Sequence, residues 1–235
     1  MPSISPYKLA FACYIYGPMS SADKSYQEFL KATESTPDLT KENHQVALVR
    51  WLNKWGCRQF AKDDYESACR KMRHWYKEYS ASLPAPGKTL LELSEDDLDK
   101  VCTAYAKLAE QTASKRNSNR GEITVKVGPT GAAKILFALR PHTLIPWDES
   151  IRTEFNLDGS AASYIAFLGR VKAMLNQLEE ACKRNHRTLS NLPQLMGKPA
   201  DYSLVKIVDE YFWVTITKKC QVPEPEAFEQ WLRWN

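Results

Sequence analysis

The chain has 235 residues, of which 43% are hydrophobic, and this supplies a buried core for one large domain or two interleaved subdomains. Charged residues of both signs make up 26% of the chain. No apolar run reaches the roughly eighteen residues of a membrane span, so the composition excludes both a disordered chain and a membrane-spanning protein. The net charge of +4 is compatible with nucleic acid but decides little alone.

The first residues and the cysteines indicate the compartment. Residues 1–5 lack the basic and then apolar layout of a signal peptide, and the apolar stretch 9–16 ends at Gly17-Pro18, so we expect a cytoplasmic protein. Six cysteines lie far apart without a C-x-x-C pair. In a reducing compartment most are expected to be buried small side chains, and no zinc or iron–sulfur site is predicted.

Apolar residues recur every three or four positions over long windows, and only nine glycines occur. This spacing is typical of α-helices, so the sequence predicts an all-α fold. Three apolar stripes are predicted to face the core: Leu48, Val49, Leu52 and Trp55; Cys69, Met72 and Tyr76; and Ile165, Leu168, Val171, Leu175, Leu178 and Cys182.

The predicted domain organisation rests on one helix start and one break. Ser94 and Asp97 have the spacing of a capping box, which predicts a helix before Leu98, while residues 84–87 (Pro-Ala-Pro-Gly) interrupt the helical pattern. We therefore predict two helical lobes. Residues 88–184 form the central lobe, and residues 1–87 form the other together with residues 185–235, where helices are predicted at 203–217 and 226–234.

Residues 115–121 are polar, carry Lys115, Arg116 and Arg120, and lack helical periodicity, which predicts a loop. A solvated connector is the ordinary interpretation of such a segment. Its position just before a glycine-containing turn also makes it a candidate for binding an anionic partner.

That turn lies in residues 127–136 (Val-Gly-Pro-Thr-Gly-Ala-Ala-Lys-Ile-Leu), which are predicted to open a helix. The unpaired amides and positive dipole end of such a helix can bind a phosphate, and Lys126 and Lys134 could add charge around it. An ordinary helix start accounts for the same residues. Farther along, Pro146 suits the first turn of another helix with Asp148 near its N-terminus, where an aspartate is most often a cap but can be both cap and catalyst.

Together these features resemble the helix-hairpin-helix DNA glycosylases. Members carry a Gly-Val-Gly turn and an aspartate twenty residues after its second glycine, the separation between Gly128 and Asp148 here. The resemblance covers residues 127–152, with Ala132-Ala133 as the small helix residues and Ile151 as the aliphatic residue after the aspartate.

The chain also departs from the family pattern. Lys126 replaces the first glycine, Gly131 stands where the family prefers threonine, and the family arginine five residues after the aspartate is one position early, at Arg152. No first hairpin helix is visible in residues 121–125. These departures put the hairpin geometry in doubt more than the identity of Asp148.

The resemblance implies that Asp148 is the catalytic carboxylate of an enzyme that removes a base from DNA. Bifunctional members carry a nucleophilic lysine at the position of Thr130, so it further implies a monofunctional enzyme, although Lys126 and Lys134 remain alternative nucleophiles. No organic cofactor is implied. Hairpins of this family often hold a monovalent cation through backbone carbonyls.

The resemblance and the local charges together give a predicted site. A DNA-binding cleft between the lobes would use Gly128, Thr130, Gly131, Lys134, Lys126, Arg116, Arg120 and Arg152. The base pocket would use Trp147 and His142. Core packing is an equally good interpretation of Trp147, and a loop histidine such as His142 is usually incidental.

The implied partner of a monomeric enzyme is double-stranded DNA with a damaged or modified base, as in base-excision repair. The short chain also resembles, more weakly, bacterial phage-defence glycosylases that excise sugar-modified cytosines. Two other interpretations stay open. A non-catalytic DNA-binding scaffold could use the same turn to hold phosphate, with Asp148 only a helix cap, or the chain could be a helical protein-interaction module.

Overall fold

The computed structural model describes residues 4–20, 22–61, 64–118 and 121–232, and these are mainly α-helical, as predicted. Their α-helices are α1 (Pro6–Met19), α2 (Ala22–Ala32), α3 (Glu42–Lys54), α4 (Tyr65–Tyr79), α5 (Glu95–Ala109), α6 (Gly128–Leu139), α7 (Glu149–Glu154), α8 (Ala161–Arg184), α9 (Leu192–Leu195), α10 (Leu204–Phe212) and α11 (Pro225–Leu232). Short 3₁₀ turns occur at Ser80–Ser82, Leu90–Glu92 and Leu189–Asn191, and a π-helical segment, Trp213–Thr217, follows α10.

A β-hairpin between α5 and α6 departs from the all-α prediction. Strands β1 (Thr112–Ser118) and β2 (Gly121–Lys126) pair antiparallel with Arg116 opposite Ile123. The prediction of a loop at 115–121 was therefore wrong for 115–118 and 121, and 119–120 lie outside the described residues. The β-branched run of residues 123–125 favours this pairing. The backbone N–H of Val127 donates to the Gln111 carbonyl at 2.8 Å and leads the hairpin into α6.

The predicted helix starts are confirmed where a polar side chain caps the helix. Ser94 Oγ accepts from the Asp97 N–H at 3.2 Å, and the Asp97 carboxylate accepts from the Ser94 N–H at 2.8 Å, which completes the capping box of α5. Ser203 caps α10 in the same way through the Lys206 N–H. The helices predicted at 203–217 and 226–234 correspond to α10 with its π-helical extension and to α11.

One continuous hydrophobic core runs through the described helices. Helix α1 packs on α10, so an N-terminal and a C-terminal helix are in contact, while α5 packs on both α6 and α8. The stripe predicted on α8 is buried from Leu168 to Cys182, and only Ile165 is half-buried. Each fully buried leucine of this stripe contributes about 1.5–3 kcal/mol of transfer free energy.

All six cysteines are free thiols, four of them buried, as the sequence predicts for most of them. Among the described helices, none combines the length and the apolar character that crossing a membrane requires.

Candidate functional site

Asp148 is the N-cap of α7, with both carboxylate oxygens held by hydrogen bonds. Oδ1 accepts from the Ile151 N–H at 2.9 Å, and Oδ2 accepts from the Thr217 hydroxyl at 2.8 Å. The predicted position at a helix N-terminus is therefore confirmed, although α7 begins at Glu149 and Pro146 precedes it. The side chain is half-buried, and its two bonds fix the plane of the carboxylate.

A cleft of about 500 Å³ opens beside Asp148. It lies where α1, α3 and α10 meet α6 and the start of α7. The aromatic residues that line it are Tyr16, Trp55, Trp147 and Trp213, and the charged ones are Lys54, Lys134, Asp148, Glu149 and Asp209. The other lining residues are Met19, Ser20, Gly56, Thr130, Pro146 and Ile151. Carboxylates, ammonium groups and aromatic rings thus share one opening.

The π-helical segment places two side chains at this cleft. Residues 214–217 (Val-Thr-Ile-Thr) are four β-branched residues in succession, a composition that disfavours an α-helical turn, and they lie within the π-helical segment that follows Phe212. Trp213 lines the cleft and makes an edge-to-face contact with Tyr16, the ring centroids being 5.2 Å apart. Four residues on, Thr217 reaches the Asp148 carboxylate.

Lys134 and Thr130, both predicted to bind DNA, line the cleft from α6. The Lys134 ammonium donates to the Trp55 carbonyl at 2.5 Å and lies 5.8 Å from the Trp55 ring centroid. The Arg152 guanidinium donates to the Thr130 hydroxyl at 2.8 Å. The structure therefore brings Asp148, Thr130, Lys134 and Arg152 into one neighbourhood.

The two glycines of the predicted turn have different roles. Gly128 begins α6 with φ +68°, a left-handed conformation that favours glycine. Gly131 is buried, and a Cβ there would lie 2.5 Å from the side-chain nitrogen of Gln59, which donates to the Val127 carbonyl at 2.8 Å. Since Gln59 covers Gly131, the structure assigns this glycine to packing and not to the predicted DNA contact.

The predicted base-pocket residues do not form a pocket together. Trp147 borders the cleft, but its indole is only 1% exposed, packs against Tyr164 and Phe167, and donates to the Pro129 carbonyl at 3.2 Å. Trp147 is therefore packed in the core, which was the second interpretation that its sequence position allowed. His142 lines a different cavity, with Tyr26 and Tyr202, and is not brought to Asp148.

The basic residues predicted around 115–126 lie on the β-hairpin. Arg116 on β1 and Lys126 on β2 are both exposed, and Arg116 donates to the Arg58 carbonyl. Arg120 lies outside the residues that the structure describes.

A buried ionic cluster lies behind the cleft and reaches it through Asp209. The Lys206 ammonium, 1% exposed, donates to the Tyr16 hydroxyl at 3.2 Å and to the Asp209 carboxylate at 3.1 Å, and lies 3.6 Å from Glu210. The Lys198 ammonium pairs with Glu210 at 2.9 Å.

Burial and charge act against each other inside this cluster. Burial lowers the pKa of Lys206, but Asp209, Tyr16 and Glu210 oppose it and together raise that pKa well above its ordinary value. Burial raises the pKa of Asp209, and the Lys206 ammonium offsets part of the rise. The Lys206 ammonium group is therefore held charged behind the cleft, next to the Asp209 carboxylate that lines it.

Several residues of the site escaped the sequence reasoning. Thr217, Asp209, Trp55, Trp213 and Lys54 come from segments far from Asp148 in the chain, and no local motif marks them. The only sequence signal is the β-branched run that ends at Thr217.

No family model, curated protein or solved structure matches the chain. Its function therefore has to be argued from the site.

Proposed function

We propose that this protein is a monofunctional DNA glycosylase that turns a modified base out of DNA and hydrolyses its N-glycosidic bond. The observation that carries the proposal is the Asp148 carboxylate, fixed by Ile151 and Thr217 at the edge of a cleft with aromatic rings and ammonium groups. The resemblance of residues 127–152 to helix-hairpin-helix glycosylases supports the same role for Asp148.

The reaction needs a fixed negative charge. As the bond between C1′ and the base breaks, the sugar gains oxocarbenium-like positive charge, which the Asp148 carboxylate would stabilise. Water adds to C1′ and gives a proton to Asp148, and the bonding electrons leave with the base. The departing base takes up one proton from solvent, and Asp148 returns its proton to solvent, which restores the carboxylate. The products are the free base and an abasic site.

The size and lining of the cleft suit an extruded base. Ligand pockets commonly enclose about 300–1,000 Å³, and the cleft of about 500 Å³ lies within this range. Trp55 and Trp213 are half-buried at its wall and offer ring surface for stacking, the part predicted for Trp147. Turning the base out of the duplex costs a few kcal/mol, which contacts inside the cleft would offset.

Only half of a helix-hairpin-helix element is supported by the geometry. Helix α6 begins at Gly128 as the family's second helix would, but the β-hairpin precedes it in place of the first helix. In the proposal, the α6 N-terminus and Lys126 face a phosphate, and Thr130, Lys134 and Arg152 organise the cleft. Base-excision repair and defence against phage DNA with modified cytosine would both use this chemistry.

A DNA-binding scaffold is the second candidate, because both oxygens of Asp148 already have hydrogen-bond donors, as in an ordinary helix cap. The experiment that separates the two is an abasic-site assay on duplexes carrying single oxidised, alkylated, deaminated, mismatched or sugar-modified bases. We expect one class of duplex to yield free base and an alkali-labile site. Binding to these duplexes without release of any base would instead support the scaffold.

A further inference from the structure

The β-hairpin carries most of the excess positive charge of the chain. Residues 112–126 contain four basic side chains and one acidic one, so they account for three of the net four positive charges of the whole protein. The hairpin ends at Lys126, two residues before α6, whose Thr130 and Lys134 line the cleft. Arg120 lies outside the described residues, and the other three basic side chains, Lys115, Arg116 and Lys126, lie on the strands that lead into α6.

The two strands differ in how they are held. Strand β1 is anchored to the protein: the Ser114 hydroxyl donates to the Gln59 carbonyl at 2.7 Å, and the Lys115 N–H donates to the Asp64 carboxylate at 3.0 Å. Strand β2 is exposed at every residue except Val125, which is half-buried. The hairpin is therefore a firmly anchored ribbon with one strand toward solvent.

One face of the ribbon carries groups that suit DNA. The strand register places Lys115 and Thr124 on this face with Lys126, and all three are exposed. The other face carries buried Ser114 and is therefore turned toward the protein. Lys115 pairs with Glu122 at 2.7 Å, but such an exposed pair is worth little and can exchange for a phosphate.

We propose that this hairpin lies in the major groove of the duplex beside the extruded base. Two paired strands are about 4.8 Å apart, and the major groove, about 12 Å wide, admits such a ribbon as it stands, whereas the minor groove, about 6 Å wide, would first have to be opened by bending the DNA. Lys115 and Lys126 contact phosphates, and Thr124, which lies beside both on the same exposed face, contacts the floor of the groove. The inference rests on the proposed function, which supplies duplex DNA as the partner.

The test uses a duplex with a central abasic-site analogue, which fixes the binding position without excision. Each neutralised phosphate contributes about 0.9 to the slope of log binding constant against log salt concentration. Loss of two contacts in Lys115→Gln/Lys126→Gln should therefore reduce that slope by about 1.8. Lys183→Gln/Arg184→Gln is the matched control, because both side chains are exposed on α8 and Lys183 is likewise ion-paired, with Glu180 at 2.9 Å. This control should leave the slope unchanged.

Dimethyl sulfate footprinting then locates the groove, because guanine N7 lies in the major groove. The wild-type protein should protect guanines next to the abasic analogue, the Lys115→Gln/Lys126→Gln variant should lose that protection, and the Lys183→Gln/Arg184→Gln control should keep it. An unchanged slope in the Lys115/Lys126 variant, or a reduced slope without any N7 protection in the wild type, would overturn the proposal. Protection without base release from any duplex would instead contradict the glycosylase function and leave the groove contact standing.

Discussion

Thr217→Val tests whether the π-helical segment positions the Asp148 carboxylate for the proposed reaction. The substitution exchanges a hydroxyl for a methyl group of similar size and removes the 2.8 Å hydrogen bond to Asp148 Oδ2. The bond from the Ile151 N–H to Oδ1 remains, so the cap of α7 survives while the carboxylate can turn about its terminal torsion.

The structure sets the size of the effect. A hydrogen bond to a charged group is worth about 1.5–3 kcal/mol. The low end applies because Asp148 is half-buried and keeps its second donor. At 1.36 kcal/mol for each factor of ten, we expect the excision rate to fall by about tenfold.

The assay is single-turnover base release with saturating enzyme, together with a separate measurement of DNA affinity. Thr217→Val should lower the rate constant without changing the Kd, and Thr217→Ser should restore it. Thr215→Val is the matched control, because Thr215 lies in the same π-helical segment and donates to the Tyr211 carbonyl at 2.7 Å. An unchanged rate in Thr217→Val, or an equal loss in Thr215→Val, would refute a positioning role.

Three further predictions concern stability and the nucleophile. Lys206→Met leaves buried Asp209 and Glu210 without the cation between them, so the free energy of unfolding in urea should fall by about 3–5 kcal/mol. A fall of less than about 1 kcal/mol would contradict a charged cluster at this position. Borohydride should trap no enzyme–DNA adduct during turnover, and an adduct that disappears in Lys134→Ala would identify Lys134 as a nucleophile. Hydrogen bonds from Ser163 and Ser160 lower the pKa of Asp158 from 3.8 to about 2, so its stabilisation is present above pH 3.8 and lost as the pH falls toward 2. Asp158→Asn should lose less stability than the wild type over that window, and an equal loss would show that Asp158 is not responsible.

Local signals carried the sequence predictions that the structure confirms. The capping box at Ser94, the start of α6 at Gly128 and the placement of Asp148 at a helix N-terminus each depend on residues within one helical turn. The apolar stripe of α8 was predicted for the same reason, because helical periodicity depends on residues three or four positions apart.

The parts that could not be predicted depend on distant residues or on missing periodicity. The hairpin was missed because almost all of β2 is exposed, so no alternation of apolar and polar residues marks it. Thr217 and Asp148 are 69 positions apart, and nothing local links them. No sequence pattern distinguishes Trp147 from Trp55. Only the packing shows that the Trp147 ring is buried and that the Trp55 ring is partly exposed at the cleft.

The most direct test of the proposed mechanism is Asp148→Asn, measured for both stability and single-turnover excision. Asparagine caps helices about as well as aspartate, so the free energy of unfolding should change by no more than about 1 kcal/mol. Loss of the fixed charge should lower the excision rate by about 100- to 1000-fold. Glu154→Gln, which changes an exposed carboxylate at the other end of α7 and outside the cleft lining, should excise at nearly the wild-type rate. A folded Asp148→Asn protein that releases bases as fast as the wild type would reduce Asp148 to a helix cap and contradict the glycosylase mechanism.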